Sequence, residues 1–94
     1  MGLLTETEIR ERLERLPGWE RRGKEIRRTW AFADFEGSMA FVNRVAALAA
    51  AADHHPDIDI RYRRVTLSLS THSAGGLTAK DFDLAEKIEE LLGG

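Results

Sequence analysis

All three histidines of this 94-residue chain fall between Asp53 and His72, in the run DHHPDIDIRYRRVTLSLSTH. Imidazole is the one side chain whose ordinary pKa, about 6.5, lets it both give and take a proton near neutrality. His54 and His55 stand side by side ahead of Pro56, and His72 follows an alternating run of apolar and hydroxyl residues. The chain has no cysteine. A disulfide framework, a thiolate nucleophile and a thiolate metal site are therefore excluded, and any chemistry falls to His, Asp, Glu, Tyr or hydroxyl groups.

Three readings of the histidines compete. Taken singly, each is a structural residue: one ends a helix, one sits in a loop, one bonds a carbonyl at a strand end. A metal site could recruit Asp53, Asp57 or Asp59, but adjacent histidines rarely converge on one ion and the chain has no His-x-His or His-x-x-x-His spacing. The third reading is acid and base catalysis on a small, flat, polar molecule. Elimination or hydration needs one group to protonate a departing hydroxyl and another to accept a proton, and imidazoles in different surroundings can divide those roles. A helix C-terminus favours the protonated imidazole, whereas a histidine on a hydroxyl-lined strand can stay neutral.

The elements that must bring these rings together can be read from pattern and punctuation. Thr5 with Glu8 forms a capping box, and Ile9, Leu13 and Leu16 fall on one face of a helix from about Glu6 to Leu16. Glu6/Arg10, Glu8/Arg12 and Glu11/Arg15 are spaced as ion pairs along it, and Pro17-Gly18 stops it. Trp19 to Arg22 and Glu25 to Phe32 then read as a hairpin turning at Gly23-Lys24, with Ile26, Trp30 and Phe32 inward. Arg28 shares that apolar side, so its stem should lie along it with the head at an edge. Asp34 caps a helix from Phe35 to Ala52 whose apolar rows, Phe35, Met39, Val42, Ala46, Ala49 and Phe41, Val45, Leu48, Ala52, make a stripe wide enough for a central buried helix.

Pro56 ends that helix. Ile58, Ile60 and Tyr62 form one face of a third strand, Arg63-Arg64 a turn, and Val65, Leu67 and Leu69 the inner face of a fourth. With that turn Pro56 lies opposite Thr71, and parity puts His72 on the hydroxyl face. Thr78 with Asp81 caps a last helix carrying Phe82, Ala85, Ile88 and Leu92. The expected fold is α+β: a four-stranded antiparallel sheet with three helices on one face, in the order α-β-β-α-β-β-α. The hairpin returns His72 to the end of the sheet where His54 and His55 leave the helix, so the three can line one pocket.

A chain this short is expected to form one domain over residues 1–94, with a limited core that a second copy would help to bury. Its 43% hydrophobic and 32% charged residues are an ordinary globular balance. A net charge of -2 leaves no electrostatic footprint for nucleic acid, although eleven of the fourteen basic residues are arginine. No apolar run approaches the roughly 20 residues that span a bilayer, and the start MGLLTETEIRERL has no basic region before an apolar block, so a cytoplasmic protein without membrane partners is expected.

The motif Asp53-His54-His55-Pro56, then five residues to Tyr62, nine to His72 within Leu-Ser-Leu-Ser-Thr-His, and Asp81 beyond resembles the pterin-4a-carbinolamine dehydratase family. Pro17-Gly18-Trp19, Ile26 to Phe32 with Asp34-Phe35, and Gly76-Leu77-Thr78 extend the likeness over nearly the whole chain. The resemblance implies a hydro-lyase that converts 4a-hydroxytetrahydropterin to quinonoid dihydropterin in tetrahydrobiopterin recycling, without metal or cofactor. It implies His54, His55 and His72 as catalytic, with Asp53 to His55 and Ser70, Thr71, His72 and Ser73 holding the pterin. Asp81 either orients His72 or only caps the last helix, and Tyr62 is pocket wall or core. It also implies a homodimer or homotetramer. The family usually has a polar or acidic residue four positions before the first histidine; here that residue is Ala50. Its absence keeps open a protein-binding module of the same family, as does the animal member that stabilises a homeodomain factor's dimer. A third option is action on another pterin, such as a molybdenum cofactor precursor.

Overall fold

The structure is a computed structural model that describes residues 2–93. Helix α1 spans Glu6–Glu14, strands β1 and β2 span Glu20–Arg22 and Glu25–Ala31, and α2 spans Phe35–Ala52. Strands β3 and β4 span Asp57–Arg61 and Arg64–Leu69, a 3-10 turn covers His72–Ala74, and α3 covers Ala79–Gly93. The strands form one antiparallel sheet in the order β1-β2-β4-β3. Alternation decides which side is buried: Ile26 and Trp30 of β2 and Val65, Leu67 and Leu69 of β4 point to the helices and are at most 8% exposed. Phe41, Val42 and Val45 of α2 and Phe82, Leu84, Ala85 and Ile88 of α3 close on them. The α+β order and the single helical layer are as the sequence predicts.

The helix ends form as their caps dictate. Thr5 and Glu8 make both bonds of the capping box, at 3.1 and 2.8 Å, and Asp34 Oδ1 accepts from Gly37 N at 2.8 Å. Helix α1 stops at Glu14, two residues early, and its charges do not pair along its own length among the described residues. Glu6 meets Arg21, while Arg12 reaches Asp83 at 2.9 Å and Glu86 at 3.1 Å on α3. A partner on another element fixes the helix in place, which an i,i+4 pair cannot do.

Arg28 behaves as its position predicts. Its guanidinium lies 5.1 Å from the Trp30 ring centroid and donates to Glu89 at 2.9 Å and to the Pro17 carbonyl at 2.8 Å. Glu89 also accepts from Trp19 Nε1 at 2.8 Å. Gly18, at φ 93°, makes room: a Cβ there would stand 2.7 Å from Arg28 Cζ.

Three expectations need correction. Helix α2 buries a narrower stripe than its composition allows; Phe35 is 44% exposed and Ala46, Ala47, Ala50, Ala51 and Ala52 face outward, because no element among the described residues covers them. On α3, Leu92 is exposed, and Leu84 is buried in the core instead. The β3–β4 turn falls at Tyr62-Arg63, with Arg61 opposite Arg64. Tyr62 takes a left-handed φ of 54°, a conformation without the usual glycine or asparagine signal. The register therefore differs by two from the expected one, and β4 ends at Leu69, before His72. An even shift keeps every side chain on its predicted face.

Candidate functional site

The site is assembled where α2 ends. Asp53 closes the helix in the left-handed conformation, φ 50°, its N–H bonding back to Ala49 and Ala50. His54 N also returns to Ala49 O, at 3.1 Å. The reversal sends the His54 side chain inward and leaves His55 exposed. From the other side, β4 delivers Ser70 and Thr71, and the 3-10 turn delivers His72 and Ser73. A cleft of about 390 Å³ results, lined by Asp53, His54, His55, Ser70, Thr71, His72, Ser73 and Lys80. Ser70 and His72 also border a neighbouring cleft beside Arg22, Lys24 and Glu25.

Below the cleft lies a buried polar cluster. Asp81, fully buried in the first turn of α3, sets Oδ1 at 2.6 Å from His54 Nε2. Its Oδ2 accepts from Thr71 Oγ1 at 2.9 Å and from Thr78 N at 3.0 Å. Thr71 and Thr78 hydroxyls are 2.8 Å apart, and Thr78 Oγ1 accepts from Lys80 N at 3.3 Å. The His54 side chain is only 11% exposed, so the His–Asp contact is shielded from water, where hydrogen bonds to a carboxylate are strongest. A carboxylate only accepts, so His54 Nε2 carries the hydrogen it faces. Nδ1, without a partner among the described residues, is left as the nitrogen available to a ligand.

Seven residues expected at the pocket, Asp53, His54, His55, Ser70, Thr71, His72 and Ser73, do line one cleft. Thr71 differs in kind: it is 5% exposed and its hydroxyl is turned to Asp81. Asp81 caps α3, as one reading held, but it also bonds His54, and not His72. Tyr62 is neither wall nor core. It is 67% exposed at the hairpin tip, the opposite end of the sheet from the cleft. Ala50 is exposed, and the acid that His54 lacks there is supplied by Asp81 from α3. Lys80 was not singled out by sequence; its place next to Asp81 in the first turn of a helix is the one signal that could have found it. No group of three or more His, Asp or Glu side chains among the described residues is arranged to hold a metal ion.

The fold is thus one helical layer on a four-stranded sheet, with an imidazole-lined cleft at the end of the β3–β4 hairpin away from its tip. The chain belongs to the pterin 4 alpha carbinolamine dehydratase family, whose model matches residues 2–91. A protein of Roseiflexus castenholzii provisionally named pterin-4-alpha-carbinolamine dehydratase is 62% identical over 91 residues, covering 97% of this chain and 98% of that one. One of Acidobacterium capsulatum with the same provisional name is 59% identical over 98% of this chain and all of its own. Among solved structures, a transcriptional coactivator/pterin dehydratase from Brucella melitensis superposes with a TM-score of 0.93 at 36% identity, over 98% of this chain and 100% of that one. A pterin dehydratase-like protein described as a RuBisCO assembly factor of the alpha-carboxysome shares the fold, with a TM-score of 0.70 at 24% identity over 82% of this chain and 92% of its own.

Proposed function

We propose that the protein dehydrates a 4a-hydroxytetrahydropterin to the quinonoid dihydropterin. The observation that carries this reading is the Asp81–His54 pair at 2.6 Å beneath a cleft that two further histidines line. His54, with Nε2–H committed to Asp81, offers the Nδ1 lone pair to the ring N–H next to the hydroxyl-bearing carbon. His72 supplies a proton to the hydroxyl. The carbon–oxygen bond breaks, water leaves, and the nitrogen lone pair closes the new carbon–nitrogen double bond as its proton passes to His54. Solvent at the open cleft returns His54's proton to His72, so the cycle consumes nothing besides substrate. His55, exposed beside them, flanks the ring, and Asp53, Ser70 and Ser73 supply polar edges for a flat heterocycle.

The working form in this reading is a homodimer or homotetramer acting in the cytoplasm. Ile58 and Ile60, on edge strand β3, are 39% and 37% exposed, and the exposed surface of α2 carries Phe35 with Ala46, Ala47, Ala50, Ala51 and Ala52. Edge pairing and small-residue helix contact would both bury such surface. No helix among the described residues is long and apolar enough to cross a membrane.

The test is dehydration of 4a-hydroxytetrahydropterin by His54→Ala and His72→Ala, each against the spontaneous rate. Both should lose at least about a hundredfold in kcat, the usual scale of a proton-transfer group. Full rate in both variants would leave the protein-binding reading in its place.

A further inference from the structure

The proposed chemistry needs His54 in one tautomer, with hydrogen on Nε2 and a lone pair on Nδ1. A carboxylate alone does not secure this, because it can turn about its own Cβ–Cγ bond and present either oxygen at other angles. We infer that the Thr71 and Thr78 hydroxyls are positioning groups that lock Asp81, and through it the ring of His54. The inference rests on the reading of His54 as the proton acceptor.

Counting hydrogens gives the direction of the network. Lys80 N–H and Thr78 N–H are backbone donors and cannot reverse. The first donates to Thr78 Oγ1 at 3.3 Å, the second to Asp81 Oδ2 at 3.0 Å. Each hydroxyl has one hydrogen to give. The arrangement that uses both sends Thr78 O–H to Thr71 Oγ1 at 2.8 Å and Thr71 O–H to Asp81 Oδ2 at 2.9 Å. Every hydrogen then runs towards the carboxylate, and Oδ2 is held from two sides. Oδ1 is left with His54 Nε2 as its partner among the described residues. Thr71 and Thr78 are 5% and 0% exposed, so water does not compete for these bonds. Two buried threonines facing one another would otherwise be a cost to the core. Thr71 is in register to act because its backbone is tied to Gly76, Thr71 N donating to Gly76 O at 2.9 Å.

The measurement is the ring nitrogen spectrum of ¹⁵N-histidine-labelled protein, assigned with His54→Ala, alongside kcat and KM. Wild-type protein should show His54 as the Nε2–H form, and any other form overturns the inference before either threonine is changed. Thr71→Val keeps the shape and removes the hydroxyl. His54 should then become a mixture of tautomers, with kcat down on the order of tenfold and KM little changed. Thr71→Ser should restore both. Thr78→Val, which frees the Thr71 hydrogen to turn away, should move the spectrum the same way by less. A wild-type-like His54 spectrum in Thr71→Val, or failure of serine to restore it, overturns the inference. Wild-type protein inactive on the pterin would instead sink the function, while the spectrum would still decide the role of the threonines.

Discussion

Asp81→Asn is the sharpest perturbation of this site, because it changes one atom and leaves the shape alone. Two donors converge on Oδ2, Thr71 O–H and Thr78 N–H, and one on Oδ1, His54. An asparagine satisfies the larger set by placing its carbonyl there, so its NH₂ faces His54 Nε2. Two hydrogens cannot share that contact. His54 must move its hydrogen to Nδ1, and the cleft loses the lone pair it was offered. The stability cost is that of three hydrogen bonds to a charged group weakened to neutral ones, about 1 kcal/mol each, a loss smaller than the roughly 5–15 kcal/mol ordinary for a folded domain. The kinetic cost is larger, since inverting the tautomer in another enzyme's Asp–His pair lowers kcat on the order of 10⁴-fold. The assay is dehydration of 4a-hydroxytetrahydropterin corrected for the uncatalysed rate, with urea unfolding as the control for integrity. A folded Asp81→Asn protein with kcat within about threefold of wild type, a difference under about 0.7 kcal/mol, would refute the reasoning.

Elsewhere the expected outcomes are more local. Gly18→Ala, forced to φ 93° and against Arg28, should lose about 2 kcal/mol in urea unfolding; a loss below about 0.5 kcal/mol would mean that the Arg28 contact is not as described. Leu67→Ala, at 0% exposure opposite both Arg28 and Ile58, should cost about 2–5 kcal/mol through the cavity it opens. Ile60→Lys on edge strand β3 should shift sedimentation to a smaller species with little change in protomer stability; an unchanged sedimentation profile would remove that edge from the assembly. Glu6 has its carboxyl held below the ordinary 4.5 by its hydrogen bond to Arg21. Its stabilisation is therefore present above that value and fades as pH falls below it, so Glu6→Gln should lower stability slightly in the neutral region and flatten the acid limb of a stability-versus-pH curve, the two curves converging at low pH.

What could be read without coordinates follows from how local each feature is. Asp34 and Pro56 act within a few residues of themselves, and the helix they bound, Phe35–Ala52, has the limits the sequence predicts. The β3–β4 turn was displaced by one residue because Tyr62 adopts a left-handed backbone that nothing in RYRR announces. Periodicity made α2 wider inside than it is, since apolar spacing says which residues could be buried and not what is there to bury them. The bond from Asp81 to His54 was missed for a different reason. A capping role already accounts for an acid three residues after Thr78, and only the packing of α2's end on α3's start shows that the second carboxylate oxygen serves another purpose.

That same bond joins parts of the chain 27 positions apart, one at the exit of α2 and one at the entry of α3. Anything that grips the His54 ring therefore also holds the two helices in their native arrangement, and must release its hold before they can separate. Ligand affinity and melting temperature are then two readings of one equilibrium. A thermal-shift screen over flat heterocycles would report occupancy of this corner even for compounds that are never turned over.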